Sequence, residues 1–234
     1  MILYYIRHGD PVYNPDTLTE LGKRQAEALG KRLALYGLDR IYSSPSIRAV
    51  QTAEPTSFLT KKEIIELDWC QEKDAFRELS FIKDGKPGWL FTIQKSLMAS
   101  KEMEELGHNW WKHPAFEQYN YESGYKRIQN HTHNFLAELG YKFDKKTGVY
   151  KVLQDNSDRI ALFAHQGFGI AFLSCVLNIP YPMMCKFDLG HSSMTVVNFE
   201  NENGVCVPRV LSLSNDSHLY REGLPTKYNN FIYI

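Results

Sequence analysis

The chain has 234 residues, 43% of them hydrophobic and 23% charged, with 27 basic side chains balancing 27 acidic ones. That length supports one domain with a sizeable core, expected to span residues 1–234, and the neutral balance excludes broad attraction to nucleic acid or membrane. No apolar run approaches the ~20 residues of a membrane span and no secretory leader opens the chain, so a cytoplasmic protein is expected. Cys70, Cys175, Cys185 and Cys206 form no C-x-x-C pair and read as buried free thiols.

Leu3 to Asp10 begins as a buried strand and breaks off at Arg7-His8-Gly9. A polar loop is expected from Asp10 to Asp16. Next comes a helix to about Tyr36, capped at Thr17 or Thr19, with Leu18, Leu21, Leu29 and Leu33 on one stripe and Gly37 as its stop. Asp39–Ser43 reads as a strand and Pro45 to about Phe58 as a helix capped by Ser44. Glu63–Leu67 reads as a third strand. This alternation predicts an α/β fold, a three-layer α/β/α sandwich around a mostly parallel sheet with right-handed crossovers.

From about Glu72 to Tyr121 the periodicity breaks, which predicts an insertion of short helices after the third strand. A helix follows from about Tyr125 to Leu139, then a turn at 144–148 and a strand at 149–153. A strong buried strand, Arg159–Ala164, feeds His165-Gln166-Gly167 and an apolar helix to Leu177. A C-terminal hairpin is expected from Met194–Phe199 and Val205–Leu213, turning at Asn203-Gly204. The tail from Asn215 to Ile234 shows no period.

Parallel strands present their C-terminal ends along one edge of a sheet, so His8 and His165 can meet there, and ligands bind at such edges. Arg48 lies one turn into the helix that leaves the same edge, and the helix N-terminus adds partial positive charge and free N–H groups. Two arginines and two histidines around one crevice make a dianion site, because the guanidinium fork matches phosphate oxygens. A neutral imidazole can attack phosphorus. No lysine phosphate loop and no carboxylate cluster for magnesium is present. Metal-free chemistry without a cofactor is therefore expected.

These residues resemble the histidine phosphatase superfamily, the phosphoglycerate mutase-like enzymes. The resemblance runs through Arg7-His8-Gly9, Leu18-Thr19-Glu20-Leu21-Gly22-Lys23-Arg24-Gln25-Ala26, Ser43-Ser44-Pro45 with Arg48-Ala49 and Gln51-Thr52, and His165 with Gly167. It implies that His8 becomes phosphohistidine, that Arg7, Arg48 and His165 hold the phosphoryl group, and that Asn14 lines the pocket. It also implies an acid just after the third strand to protonate the leaving oxygen. Glu72 is the choice and Glu78 the alternative, with Asp68 and Asp74 behind them. Pro11 replaces a hydroxyl residue common in relatives. Gln166 separates His165 from Gly167, where it either touches substrate or hydrogen-bonds the loop.

Other conspicuous residues have plainer readings. The spacing of His108 and His113 places no two ligands on one helix face, and His131 and His133 point in different directions. Trp89, Trp110 and Trp111 are packing residues or, given their place in the insertion, part of a substrate wall. His191 lines the pocket rim or serves as a core or cap residue, while His218, Tyr220 and Arg221 belong to a tail able to fold back over the site. Three functions compete. The leading one is hydrolysis of a small-molecule phosphomonoester, with no nucleic-acid or membrane partner. The others are mutase-type phosphoryl transfer and a weak phosphate-binding or protein-interaction module. The sequence does not address oligomeric state.

Overall fold

The computed structural model describes residues 1–226, and the part of the aperiodic tail beyond residue 226 lies outside them. Strand β1 (Ile2–Arg7) sends Leu3 and Tyr5 into one core and Tyr4 and Ile6 into another, so both of its faces need cover. A short hairpin of β2 (Pro11–Tyr13) and β3 (Asp16–Leu18) occupies the stretch expected as loop. Helix α1 (Glu20–Tyr36) starts at Thr19, whose hydroxyl accepts from Gly22 N at 3.0 Å, and stops at Gly37 with φ 74°. After β4 (Arg40–Ser43), helix α2 (Ile47–Thr60) begins two residues later than Pro45 suggests. The Asp16 carboxylate accepts from Ile47 N at 2.9 Å and caps it from outside. Strand β5 (Ile64–Glu66) follows.

The next segment comprises α3 (Glu72–Leu79), β6 (Ser80–Lys83), β7 (Lys86–Trp89), α4 (Leu90–Ile93), α5 (Lys95–Met98), α6 (Lys101–Leu106) and 3-10 turns at 107–112 and 114–116. It is not built of short helices alone. Asp84 and Gly85, with φ 51° and 74°, close a two-residue hairpin between β6 and β7. Trp110 is fully buried among Phe116, Tyr121, Tyr125 and Tyr181, which makes it core.

The rest of the described chain is α7 (Tyr121–Glu138), β8 (Tyr141–Asp144), β9 (Val149–Val152), β10 (Arg159–Ala164), α8 (Gln166–Leu177), β11 (Met194–Asn198), β12 (Val205–Cys206), β13 (Arg209–Asn215) and α9 (Ser217–Arg221). The six-stranded sheet has the order β13-β11-β1-β10-β4-β5, parallel from β1 to β5 and antiparallel at β11 and β13. Helices α1 and α2 close the face bearing Tyr4 and Ile6, and α7 and α8 close the other. The result is the mixed α/β architecture that the alternation predicts.

The expected C-terminal hairpin needs correcting. Asn203 and Gly204 do form the turn, with φ 57° and 87°, yet β12 then pairs with β9 and only β13 returns to β11. Pro208 lies between β12 and β13, and a residue without an N–H cannot continue a ladder. All four cysteines are buried and free. No helix among the described residues is long and apolar enough to cross a membrane.

The loop after β1 packs backbone to backbone on the first turn of α1. A Cβ on Gly22 would stand 2.2 Å from Asp10 O, and one on Gly9 would stand 2.7 Å from Gly22 O. Neither neighbour is a side chain able to swing aside. Gly22→Ala is therefore expected to lower the unfolding free energy by about 1–3 kcal/mol. Urea denaturation checks this, and an unchanged midpoint would contradict it.

Candidate active site

Strands β1, β10 and β4 end in step. His8 N donates to Ala164 O at 2.9 Å and Ser44 N to Phe163 O at 2.8 Å, which brings His8, His165 and Ser44 to one edge. His8 is buried, and its Nδ1 lies 2.8 Å from Gly9 O. A carbonyl only accepts, so Nδ1 carries the proton and Nε2 keeps its lone pair. Gly9 N in turn donates to Thr52 Oγ1 at 3.0 Å, and Asp10 N to Gln25 Oε1 at 2.8 Å. Two residues of the resemblance thus hold the turn that carries His8.

Arg48, 9% exposed, reaches the same crevice from α2. Its Nη1 donates to Asp16 Oδ1 at 2.8 Å, and its Nη2 lies 3.0 Å from Glu72 Oε2 and 3.1 Å from His165 Nδ1. Because a guanidinium only donates, His165 Nδ1 accepts and its Nε2–H faces Ser44 Oγ at 2.8 Å. Glu72 also takes Gly167 N on Oε1 at 3.2 Å. The rings of His8 and His165 sit edge to face with centroids 5.2 Å apart.

Arg7 enters from β1. Its Nη1 donates to Leu189 O, and its Nη2 lies 2.7 Å from His191 Nε2. The loop bearing Leu189 and His191 is tied down on both sides. Ser192 N donates to His8 O at 3.0 Å, Arg7 N to Ser193 O at 3.1 Å, and Gly190 N to Ser214 Oγ at 2.9 Å. Ser192 Oγ meets Nε2 of the buried His218 at 3.1 Å. The tail therefore props this loop from below, through His218, while Tyr220 is exposed.

Burial holds the imidazoles of both His8 and His165 well below the ordinary value. His165, Arg7 and Arg48 add to the effect at His8, against the opposing pull of the Gly9 carbonyl; Arg48 and Arg7 add to it at His165. Burial also lowers Arg7, partly offset by Glu72. Nε of Arg7 and Nε of Arg48 are buried and have no partner among the described residues. Two orphaned cationic donors beside two neutral imidazoles suit an oxyanion.

His8, Glu72 and His165 bring ligand-type atoms within 4.8 Å of one another, a spacing that also suits a metal ion. Arg48 Nη2 already stands between Glu72 and His165, so an incoming cation would meet a fixed positive charge. The donor set fits an anion better than a metal.

The sequence candidates separate clearly. Arg7, His8, Arg48, Glu72 and His165 come together. Glu78 does not. Arg127 clamps both its oxygens at 2.9 Å, which makes it a strut between α3 and α7. Asn14 sits exposed at the turn of the β2–β3 hairpin, outside the hydrogen-bonded cluster, whereas its neighbour Tyr13 places its ring 5.4 Å from the Arg48 guanidinium. The Gln166 amide donates to Asp188, so it braces the loop. Carboxylates already take one N–H at each of two helix N-termini, Ile47 N and Gly167 N. Three further histidines have partners elsewhere: His113 contacts Glu102, His131 stacks on Trp69 and His133 on Phe143. Asp16 escaped the sequence reading because it sits in a stretch with no period. Trp89 was legible only as an insertion aromatic, yet its indole fills the space above Gly167, where a Cβ would lie 2.1 Å from the ring.

A model of the histidine phosphatase superfamily, branch 1, matches residues 3–210. The chain belongs to that superfamily. It is 26% identical over 219 residues to a putative phosphoserine phosphatase 2 of Hydrogenobacter thermophilus, covering 88% of this chain and 93% of the relative. Phosphoserine phosphatase 1 of the same organism is 22% identical over 226 residues, covering 93% of each chain. Among solved structures, phosphoserine phosphatase from Entamoeba histolytica in complex with 3-phosphoglyceric acid superposes with a TM-score of 0.59 at 20% identity, over 93% of this chain and 98% of that one. A mycobacterial glucosyl-3-phosphoglycerate phosphatase with inorganic phosphate gives 0.59 at 18%, over 93% and 98%. At these identities the solved structures show the fold.

In this superfamily member the buried histidines also set the acid limit of stability. Burial pushes both His133 and His218 down to about 4, with Arg32 adding to the effect at His218 and Lys145 at His133. The unfolded chain binds those protons near pH ~6.5, before the folded one does. Stability from the neutral rings is thus complete above that pH and is lost as pH falls toward 4. The thermal midpoint is expected to hold above about pH 6.5 and to drop steadily below it. His218→Gln is expected to flatten part of that slope in a melting series, and a flat wild-type profile down to pH 5 would contradict the assignment.

Proposed function

We propose that this protein is a phosphatase that hydrolyses a small-molecule phosphomonoester through a phosphohistidine on His8. The observation that carries the reading is the hydrogen bond from His8 Nδ1 to Gly9 O, which leaves the Nε2 lone pair free in a crevice lined by Arg7, Arg48, His165 and Glu72. The family membership and the phosphatase names of the relatives support the same chemistry.

In the first half-reaction His8 Nε2 attacks phosphorus in line and an N–P bond forms as the P–O bond to the alcohol breaks. Arg7 and Arg48 neutralise the equatorial oxygens, and His165, held by Ser44 and Arg48, completes the cradle. As the phosphoryl group takes over Arg48, the freed Glu72 carboxylate takes up a proton from solvent, and it delivers that proton to the departing alkoxide. In the second half-reaction a water takes the alcohol's place and loses a proton to Glu72. Its oxygen then attacks phosphorus, and the N–P bond breaks to restore neutral His8. A neutral nucleophile is what this site prepares, since burial and the two arginines oppose imidazolium.

The departing alcohol lies on the Glu72 side, near the wall made by Trp89 and Phe76, whose rings meet edge to face at 5.1 Å. Relatives act on phosphoserine and glucosyl-3-phosphoglycerate by name, and we place this substrate in the same broad class of small phosphomonoesters.

His8→Ala is expected to abolish phosphate release and the acid-labile phosphoenzyme trapped from labelled substrate. Glu72→Gln should lower kcat about 10²–10⁴-fold on alkyl phosphates, and far less on an aryl phosphate whose leaving group needs no proton. Glu78→Gln should leave kcat within a few-fold and cost stability instead. The test is steady-state release from a phosphomonoester panel. Isomerisation of phosphoglycerates without release would replace hydrolysis by mutase chemistry, and loss of turnover only in the Glu78 variant would move the acid.

A further inference from the structure

Resting on the phosphatase reading, we propose that His191 is a positioning residue for the phosphate-binding Arg7, held in one tautomer by Asp10. Arg7 has an Nη2 that only donates, so His191 Nε2, 2.7 Å away, accepts and the ring proton sits on Nδ1. That Nδ1 faces Asp10 Oδ1 at 3.5 Å, where the carboxylate charge favours the proton. Asp10 is itself fixed, since its Oδ2 accepts from Thr19 Oγ1 at 2.8 Å and its N–H donates to Gln25 Oε1 at 2.8 Å. The chain of contacts therefore runs from the first turn of α1 through Asp10 and His191 to the guanidinium of Arg7.

Its consequence follows from the geometry of an arginine fork. Leu189 O holds one N–H of Nη1 and His191 one of Nη2, which leaves three donors for an anion: the second N–H of each and the buried Nε–H, which has no partner among the described residues. Two acceptors on separate nitrogens fix the rotation of the planar group, so its remaining donors are aimed before the ligand arrives. The ring of His191 stands 5.7 Å from that of His8, centroid to centroid, so the arginine it fixes belongs to the nucleophile's own surroundings. Ser192, next in the chain, donates its N–H to His8 O at 3.0 Å. One short loop thus positions the nucleophile's backbone and the phosphate-binding cation together.

Two measurements test the proposal. Nitrogen-15 imidazole spectra of the ligand-free protein, with His191 assigned by the His191→Gln variant, are expected to show Nδ1 protonated and Nε2 bare. The Nε2–H tautomer or an imidazolium near neutral pH would overturn the proposal. Titration with inorganic phosphate is expected to show His191→Ala binding about tenfold more weakly, a loss of ~1.4 kcal/mol. KM should rise by a similar factor and kcat by contrast change little. His191→Gln, which keeps an acceptor at the same reach, should recover most of the affinity. Equal phosphate affinity in wild type and His191→Ala overturns the proposal, as does a Gln variant no better than Ala. Neither the imidazole spectra nor the phosphate titration needs turnover. Should His8→Ala still release phosphate while His191→Ala binds it weakly, the phosphohistidine reading falls and the positioning role stands.

Discussion

Three parallel strands stop at one level, and the chemistry of this protein depends on that coincidence. The pairing of β1 with β10 and of β10 with β4 brings the His8 amide to Ala164 O and the Ser44 amide to Phe163 O. Residues more than a hundred positions apart become neighbours through backbone hydrogen bonds alone. A slip of one residue in the pairing of β1 with β10 would exchange the two faces of β1 and turn Leu3 and Tyr5 away from their core. The same alternation of apolar side chains that buries the sheet therefore also fixes the distance between the two histidines.

Around that frame, the electrostatics are arranged by compensation. Two guanidiniums are buried, and each is met by acceptors: Asp16 and Glu72 at Arg48, a carbonyl and an imidazole at Arg7. Buried charge without such partners would be strongly unfavourable. The histidines respond in the opposite sense and stay neutral, because burial and neighbouring cations both oppose a further positive charge. Positive charge thus resides on the two arginines and not on the two imidazoles beside them.

How much of this was legible in the sequence follows from the range of each interaction. Arg7-His8-Gly9, Ser44 with Arg48, and His165 with Gly167 were visible because each sits at a strand end followed by a turn or helix start, a local signal. Glu72 was visible from its place after β5. The hairpin of β6 and β7 was not, although Asp84-Gly85 is a strong turn pair. Pro87 and Gly88 argue against a strand there, and the tertiary packing of Trp89 on Phe76 and Gly167 overrides them. Asn14, matched by position alone, stands exposed at the turn of the β2–β3 hairpin and outside the hydrogen-bonded cluster. His191 and Asp16 act through partners distant in sequence, Arg7 and Arg48, and no periodicity marks such pairs.

The grip of Asp16 and Glu72 on Arg48 has a consequence for selectivity among anions. An arriving ligand does not meet a vacant cation; it must take Arg48 from carboxylates that already satisfy it, so binding is an exchange of partners. A monoanion such as chloride offers too little to displace them, whereas a tetrahedral dianion brings several oxygens and twice the charge. The occupied resting state therefore sets a threshold that favours multiply charged anions over weakly competing ones. A competitor that takes Arg48 also releases Glu72, which in the proposed mechanism frees its carboxyl for proton transfer.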